Sequence, residues 1–346
     1  YEEELEKIRT RKRNYTPWQV AIGAGFACGG FCIQFGCDWM AFLYASIAAI
    51  IGMRVRAKCN ESGLNHYMGI AISAFIATML AWASTLLPAE WTSTPWHPLL
   101  ACALFIVPGV PLINFVDDML DNYIQVGIVR AVNTLLMVSA MAFGIAFAVK
   151  LCSIGDFFPT ISMVPHHNYL EYAIAAAISA MGFSMIFNIQ RRLLWVVAIG
   201  GIIAVCTRNF VNLGPSTNNI GLDMGLVIGS FSGSVLVSLI AIKAVHWFHV
   251  PNHVLTIPSV IPMIPGVLMY RMLFGLINMN VQSIDQVTPL MKAIESGVNS
   301  GLVIMCIALG VAIPNIFGRK YIASSKNKRL AEILKERKAR GKFVEW

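Results

Sequence analysis

The sequence predicts an all-α integral membrane protein of about ten transmembrane helices, arranged as two inverted five-helix repeats with broken fourth and ninth helices. Three observations carry that prediction. The 346 residues are 57% hydrophobic and 13% charged, with a mean hydropathy of +0.66, whereas soluble domains carry about a quarter charged residues. Apolar stretches of roughly 20 residues, enough to cross a hydrocarbon core of about 30 Å, recur along nearly the whole chain. Short sequence blocks also recur in the same order in both halves, Pro-Gly pairs included.

In order, the spans fall at about 16–36, 39–54, 66–87, 97–117, 125–151, 169–188, 193–208, 219–245, 250–277 and 288–317. The divisions are then residues 1–15, 16–152 for the first repeat, 167–318 for the second, and a basic tail over 319–346. The chain opens on Tyr1 rather than Met, and Tyr1 to Tyr15 reads as the end of a cytoplasmic amino-terminal region of a longer polypeptide. No signal peptide is visible. An inside amino terminus puts Lys7 to Arg13, Arg54, Arg56, Lys58, Arg191, Arg192, Lys243 and the Arg319–Lys342 tail on the cytoplasmic side. Lys150 and Arg208 lie near outer ends. By the positive-inside rule both termini are cytoplasmic. The net charge of +8 therefore addresses lipid headgroups and topology rather than nucleic acid. In the tail, Leu330, Ile333 and Leu334 share one face of a helix expected over Ser325 to Lys342, lying along the inner leaflet.

The repeat is visible in three places. Ala131–Ala146 aligns without gaps on Gly297–Ala312, matching Val132, Asn133, Leu136, Ala142, Gly144 and Ala146 with Val298, Asn299, Leu302, Ala308, Gly310 and Ala312. Ile106-Val-Pro-Gly-Val110 answers Met263-Ile-Pro-Gly-Val267, and Gly30, Phe31 and Phe35 answer Gly182, Phe183 and Phe187. Five spans per half is odd, so the second half enters the membrane from the opposite side, as in many secondary transporters. Small residues recur every fourth position in both third spans: Gly69, Ser73, Ala77, Ala81 and Gly221, Gly225, Gly229, Gly233. That spacing permits close helix contact, fixed or sliding.

Pro108, Gly109 and Pro111 interrupt the fourth span; Pro258, Pro262, Pro265 and Gly266 interrupt the ninth. Prolines remove N–H donors, so the carbonyls of Leu104, Val107, Val254, Pro258 and Ile261 lose their usual partners. Broken backbone at membrane depth is tolerated where protein buries it or it lines a wet cavity. The expectation is that the two breaks face each other across a polar cavity. Asn114, Asp117, Asp118, Tyr270 and Arg271 lie near them, and the following spans bring Arg130, Asn133, Lys292, Glu295 and Asn299. Arg271, about 7–8 Å beyond the break along a resumed helix, could hold a substrate carboxylate or pair with Glu295 or Asp285. Glu295 or Asp118, with Asp117 a further candidate, could carry a coupling proton if desolvation raises its pKa. Asp117 and Asp118 could equally be solvated at the cytoplasmic edge. Asn133 and Asn299 offer amides to a substrate or glue helices together. Asp38, Glu171 and Asp223, near outer span ends, are weaker candidates.

The eight cysteines show neither paired spacing nor histidines at ligand distance, and read as small core residues. There is no phosphate loop, HExxH or GxSxG, so neither ATP-driven transport nor hydrolysis has a sequence anchor. No cofactor or metal is expected, and an ion gradient is the remaining energy source. The expected partners are a small-molecule substrate, protons and membrane lipids; a homo-oligomer stays open.

At the two breaks the sequence resembles the threonine/serine exporter family. The resembling residues are Val107-Pro-Gly-Val-Pro-Leu-Ile-Asn114 with Asp118, and Ile257-Pro-Ser-Val-Ile-Pro-Met-Ile-Pro-Gly266 with Tyr270-Arg271. Phe35-Gly36 with Trp39 is similar to that family's first hairpin, and the resemblance spans roughly 16–317. It implies inner-membrane export of threonine and serine driven by the proton gradient. Some members are split into two polypeptides, one per half-type, and split members are linked to C4-dicarboxylate export, so succinate is the rival substrate. A dicarboxylate wants two separated cations, whereas a zwitterion wants one cation and one acceptor; Arg271 as the strong cation near a break leans to the zwitterion. Members also carry a cytoplasmic region before the first span, to which only Tyr1 to Tyr15 could belong here. A non-transporting membrane scaffold is the reading of another class, and it would have its breaks packed dry.

Overall fold

The computed structural model describes residues 5–6, 9–10, 13–86, 88, 90–152, 167–215, 220–277 and 287–339. Every regular element among them is helical. The first half comprises α1 (Pro17–Gln34), α2 (Trp39–Glu61), α3 (His66–Trp82), the short α4 (Pro98–Ala101), α5 (Gly109–Leu120) and α6 (Ile124–Leu151). The second comprises α7 (Tyr169–Ile186), α8 (Leu194–Asn212), α9 (Leu226–Phe248), α10 (Asn252–Val260), α11 (Gly266–Ile277) and α12 (Val287–Ala339).

Polar residues at the ends set the helix starts. Thr16 and Gln19 exchange hydrogen bonds with each other's backbone N–H at 3.3 and 3.0 Å, with Pro17 in the first turn. Asn65 accepts from the Tyr67 N–H at 2.9 Å. Asp38 does more than cap α2. Its carboxylate accepts from the Ala41 N–H at 2.7 Å, the Thr92 hydroxyl at 2.8 Å and the Ser93 N–H at 2.7 Å, tying the chain beyond α3 to the start of α2. Burial alone would raise its pKa, but these bonds outweigh it and hold the carboxyl below its ordinary value. This sequence candidate is a structural hub.

Among the described residues, seven helices are long and apolar enough to cross a membrane, or eight if the bent pair α10–α11 is one span. The protein is thus a multi-pass membrane protein. Helices occupy all ten expected stretches, but α1 and the segmented α4–α5 stretch fall outside that count. Two boundaries differ from expectation. Gly221 and Gly225 precede α9, and Gly225 has φ +87°, a conformation L side chains rarely adopt, so only Gly229 and Gly233 of that small-residue stripe lie on the helix. The tenth span and tail form one helix of 53 residues, so the expected separate surface helix is a continuation instead; residues 340–342 lie outside the described residues.

The packing repeats between halves. α1 packs on α2 and α7 on α8; α2 packs on α3 and α8 on α9; α3 packs on α6 and α9 on α12; α5 packs on α6 and α11 on α12. α1 and α7 join the halves. A side chain at Gly30 would strike the Ala175 carbonyl and Ser179, and one at Gly182 would strike Gly23 and Ala27. Each contact maps onto the other under the sequence repeat, and residue numbers rise along α1 as they fall along α7, so these equivalent helices cross antiparallel with backbones touching. Phe31 meets Phe183 edge-on at 5.8 Å, both members of one repeat pair. A Leu, Ile or Phe in place of these glycines would hold the helices apart, which is why the interface is built of Gly, Ala and Ser.

Candidate functional site

The breaks are built from tight turns that satisfy their own backbone. A 3₁₀ turn at Leu104–Ile106 ends with the Val107 N–H donating to the Leu104 carbonyl at 3.1 Å. Pro108, at φ −77° and ψ 62°, then forms an inverse γ-turn in which the Gly109 N–H donates to the Val107 carbonyl at 2.8 Å. The second break repeats this: a 3₁₀ turn at Ile261–Met263, Ile264 N–H to Ile261 carbonyl at 2.9 Å, and Gly266 N–H to Ile264 carbonyl at 2.9 Å. Across it α10 and α11 are bent by 56°. Three of the carbonyls expected to be orphaned, those of Leu104, Val107 and Ile261, therefore have donors.

The two apices lock into each other. A Cβ on Gly109 would lie 2.8 Å from Ile264 Cδ1 and 3.1 Å from Ile261 Cγ1; one on Gly266 would lie 2.5 Å from Leu104 Cδ2 and 3.6 Å from Val107 Cγ2. Under the repeat Ile261 answers Leu104, Ile264 answers Val107 and Gly266 answers Gly109, so each break seats its glycine on the other's apolar pair. The breaks do face each other, but Leu104, Ile261 and Ile264 are buried and apolar, and they fill the space where a polar cavity was expected. The physical reason is the self-satisfied backbone, which needs no water. Pro262 is buried, whereas Pro111 and Pro265 are half-buried.

Cys28 of α1 also serves the first break: the Phe105 N–H donates to its Sγ at 3.2 Å, and the thiol reaches the Cys102 carbonyl at 3.7 Å. A sulfur in an apolar run gives no sequence signal for this role. Tyr270, 1% exposed, crosses from the second half to donate to Met141 Sδ of α6 at 3.4 Å.

The charged candidates divide between the two ends of the interlock. Asp118 pairs with Arg130 at 2.6 Å, and Asp117 lies 3.8 Å from His253 Nε2 at the start of α10. His253, a lone histidine beside a proline, was not a sequence candidate; it joins the halves at this end. A cavity of about 440 Å³ opens at the same end, lined by Arg13, Asn14, Asn188, Gln190, Val250 and Val254 among others. Arg271 is half-buried on α11, on the far side of the apex, about 27 Å along the helix path from His253. It occupies the repeat position of Asn114, also half-buried. Arg271 and the aspartates therefore belong to different ends. Glu295, Lys292 and Asn299 are exposed on α12, outside the packed interior of the bundle: hydropathy places a residue in a span but not on a face. Asn133, also exposed, accepts from the Tyr67 hydroxyl at 2.7 Å, a helix-joining bond. Asp285 lies outside the described residues.

A multi-pass helical bundle with two interlocked broken helices, and the Asp118–Arg130 ion pair at one end of the lock, has the parts of a membrane transporter. Comparison with known proteins gives the family. One family model, described as "Putative threonine/serine exporter", matches residues 1–152, and a second, "Threonine/Serine exporter, ThrE", matches residues 172–317. Together they take in both halves, and the chain belongs to the threonine/serine exporter family. It is similar to the "Probable succinate transporter subunit YjjP" of Klebsiella aerogenes, 28% identical over 137 residues, 40% of this chain and 53% of that protein. The protein of that name from Escherichia coli strain K12 is 29% identical over 137 residues, with the same shares. The chain spans about half the length of these curated relatives. No solved structure matches it.

Proposed function

We propose that the protein is a proton-coupled secondary transporter that exports small hydroxy amino acids, threonine and serine, by alternating access of two inverted halves hinged at the interlocked breaks. The observation that carries this reading is the reciprocal seating of Gly109 on Ile261 and Ile264 and of Gly266 on Leu104 and Val107. Such a lock is dry and closed in one arrangement and opens when either half tilts, because helices on both sides of a γ-turn can pivot without losing ladder bonds. The antiparallel crossing of α1 and α7 and the matched packing partners support inversion of the halves. The Lys and Arg bias supports cytoplasmic termini in an inner membrane.

In this reading Arg271, with Tyr270 beside it on α11, meets the substrate carboxylate on one side of the lock, and Asn114, its repeat equivalent on α5, offers its amide on the other. Asp118, with Asp117 beside it, takes the coupling proton on the other, and Glu295 is the alternative carrier. Both half-types lie in one chain, so both are proposed to work within one polypeptide.

The relatives, named as probable succinate transporter subunits, favour a second reading, export of a C4-dicarboxylate such as succinate. Counterflow of labelled threonine, serine and succinate in proteoliposomes separates the two. Exchange of threonine and serine with succinate excluded is the expected result; succinate alone would replace the leading reading, and no counterflow of any of the three would sink both. Asp118→Asn should abolish gradient-driven movement while sparing exchange, and wild-type accumulation in that variant would remove Asp118 from coupling.

A further inference from the structure

The wall formed by α8, α9 and α10 carries a groove of about 180 Å³, separate from the breaks and the ion pairs. Trp195 and Trp247 stand at its mouth, Ile203 and Val237 at its inner end, and Leu255 and Ser259 of α10 on its floor. From Trp195 to Ile203 it runs inward for about 12 Å along α8. The mouth is aromatic and open: Trp195 is 55% and Trp247 76% exposed, and Trp195 packs edge-on against Phe248 at 5.5 Å. Tryptophan in such a position marks the level of the lipid headgroups.

A cation stands near each tryptophan. Arg192, in the 3₁₀ turn Arg191–Leu193 that leads into α8, precedes Trp195 by three residues and donates to Gln190 Oε1 at 2.8 Å, and Lys243 precedes Trp247 by four on α9, a spacing that puts two side chains on one helical face; both cations are exposed. Bilayer tails are as apolar as the groove, so a tail gains little by entering it. Selectivity must come from the headgroup, and basic residues around a groove between membrane helices attract anionic ones.

We propose that the groove holds one acyl chain of an anionic phospholipid whose phosphate is met by Arg192 and Lys243. Its floor belongs to α10, and Ser259, which donates to the Leu255 carbonyl at 2.7 Å and the Val197 carbonyl at 3.4 Å, lies three residues before Pro262 of the second break. A tail in place braces the half-helix that enters the break, and the bound lipid is thereby a partner of the hinge.

The test uses the full chain in phosphatidylcholine vesicles containing increasing fractions of phosphatidylglycerol with brominated acyl chains, which quench tryptophan on contact. Subtracting the signal of W195F/W247F isolates the groove. Brominated phosphatidylglycerol should quench this component at a mole fraction at least fivefold below that needed for brominated phosphatidylcholine. Arg192→Gln and Lys243→Gln should each give back roughly fivefold, the factor for about 1 kcal/mol per cation at an anionic surface, while R192K and K243R keep the preference. Equal quenching by the two lipids, or a preference that survives the double Gln variant, overturns the proposal. Quenching by neither lipid overturns it too, in favour of a groove covered by a second copy of the chain.

Discussion

Gly109→Ala tests the lock directly. The new methyl carbon would stand 2.8 Å from Ile264 Cδ1 and 3.1 Å from Ile261 Cγ1, against an optimal carbon separation of about 3.5–4.0 Å. One apolar side chain must yield by nearly 1 Å inside a packed apex, and overpacking of this kind costs about 1–3 kcal/mol. Alanine recovers part of this through helix propensity, by less than about 1 kcal/mol in a first turn. The net expectation is a destabilisation of about 1–2 kcal/mol. Ile264→Val removes the nearest atom, costs about 0.5–1.5 kcal/mol alone, and makes room for the methyl. The double variant should therefore lose less than the sum of the singles, with a coupling of about 1 kcal/mol. Denaturant titration of the detergent-solubilised protein supplies all four corners of the cycle. Strict additivity would refute the reciprocal seating, since residues that do not touch do not couple.

Three further outcomes follow from the same geometry. Gly266→Ala should be the costlier of the two glycine changes, because its methyl would meet Leu104 Cδ2 at 2.5 Å, and the order of their melting temperatures checks this. Asp38 has a lowered folded pKa, so its contribution is present above the unfolded carboxyl value of about 3.9 and fades as pH falls through the folded value; Asp38→Asn should lose about 1 kcal/mol near neutrality and show a flatter acid limb of melting temperature against pH. Exchanging the ends of the Asp118–Arg130 pair as D118R/R130D should recover part of the loss of either single change, with a coupling below about 1 kcal/mol because both side chains remain partly exposed; a double variant no better than the worse single would show the pair to be incidental.

Hydropathy located every helical stretch because burial in lipid needs long apolar runs, and the Pro-Gly pairs located both breaks, whereas the lone prolines Pro258 and Pro314 lie inside α10 and α12 without ending either helix. The mutual seating of those breaks was also latent in the repeat, since equivalent residues can exchange contacts across one axis. What hydropathy could not reach was the facing of side chains. Glu295 and Asn299 lie in a span yet point out of the bundle, and Asn133 is taken by Tyr67. His253 carries no signal in the sequence because its partner Asp117 is distant along the chain and only the meeting of α5 with α10 joins them. The space between the breaks is apolar for a separate reason: a γ-turn and a 3₁₀ turn restore donors to carbonyls whose partners proline removes.

The uninterrupted α12 has a mechanical consequence. It packs on α5, α9 and α11 within the bundle, and its 53 residues correspond to about 80 Å of rod, far more than a bilayer core. Glu332 sits about 20 Å beyond Gly318 along that rod. A tilt of roughly 10° about Gly318 would swing a spin label at Glu332 by about 4 Å if the rod stays stiff. The helix is thus a pointer whose far described turns report, at a distance from the bundle, how α12 is seated on α5, α9 and α11.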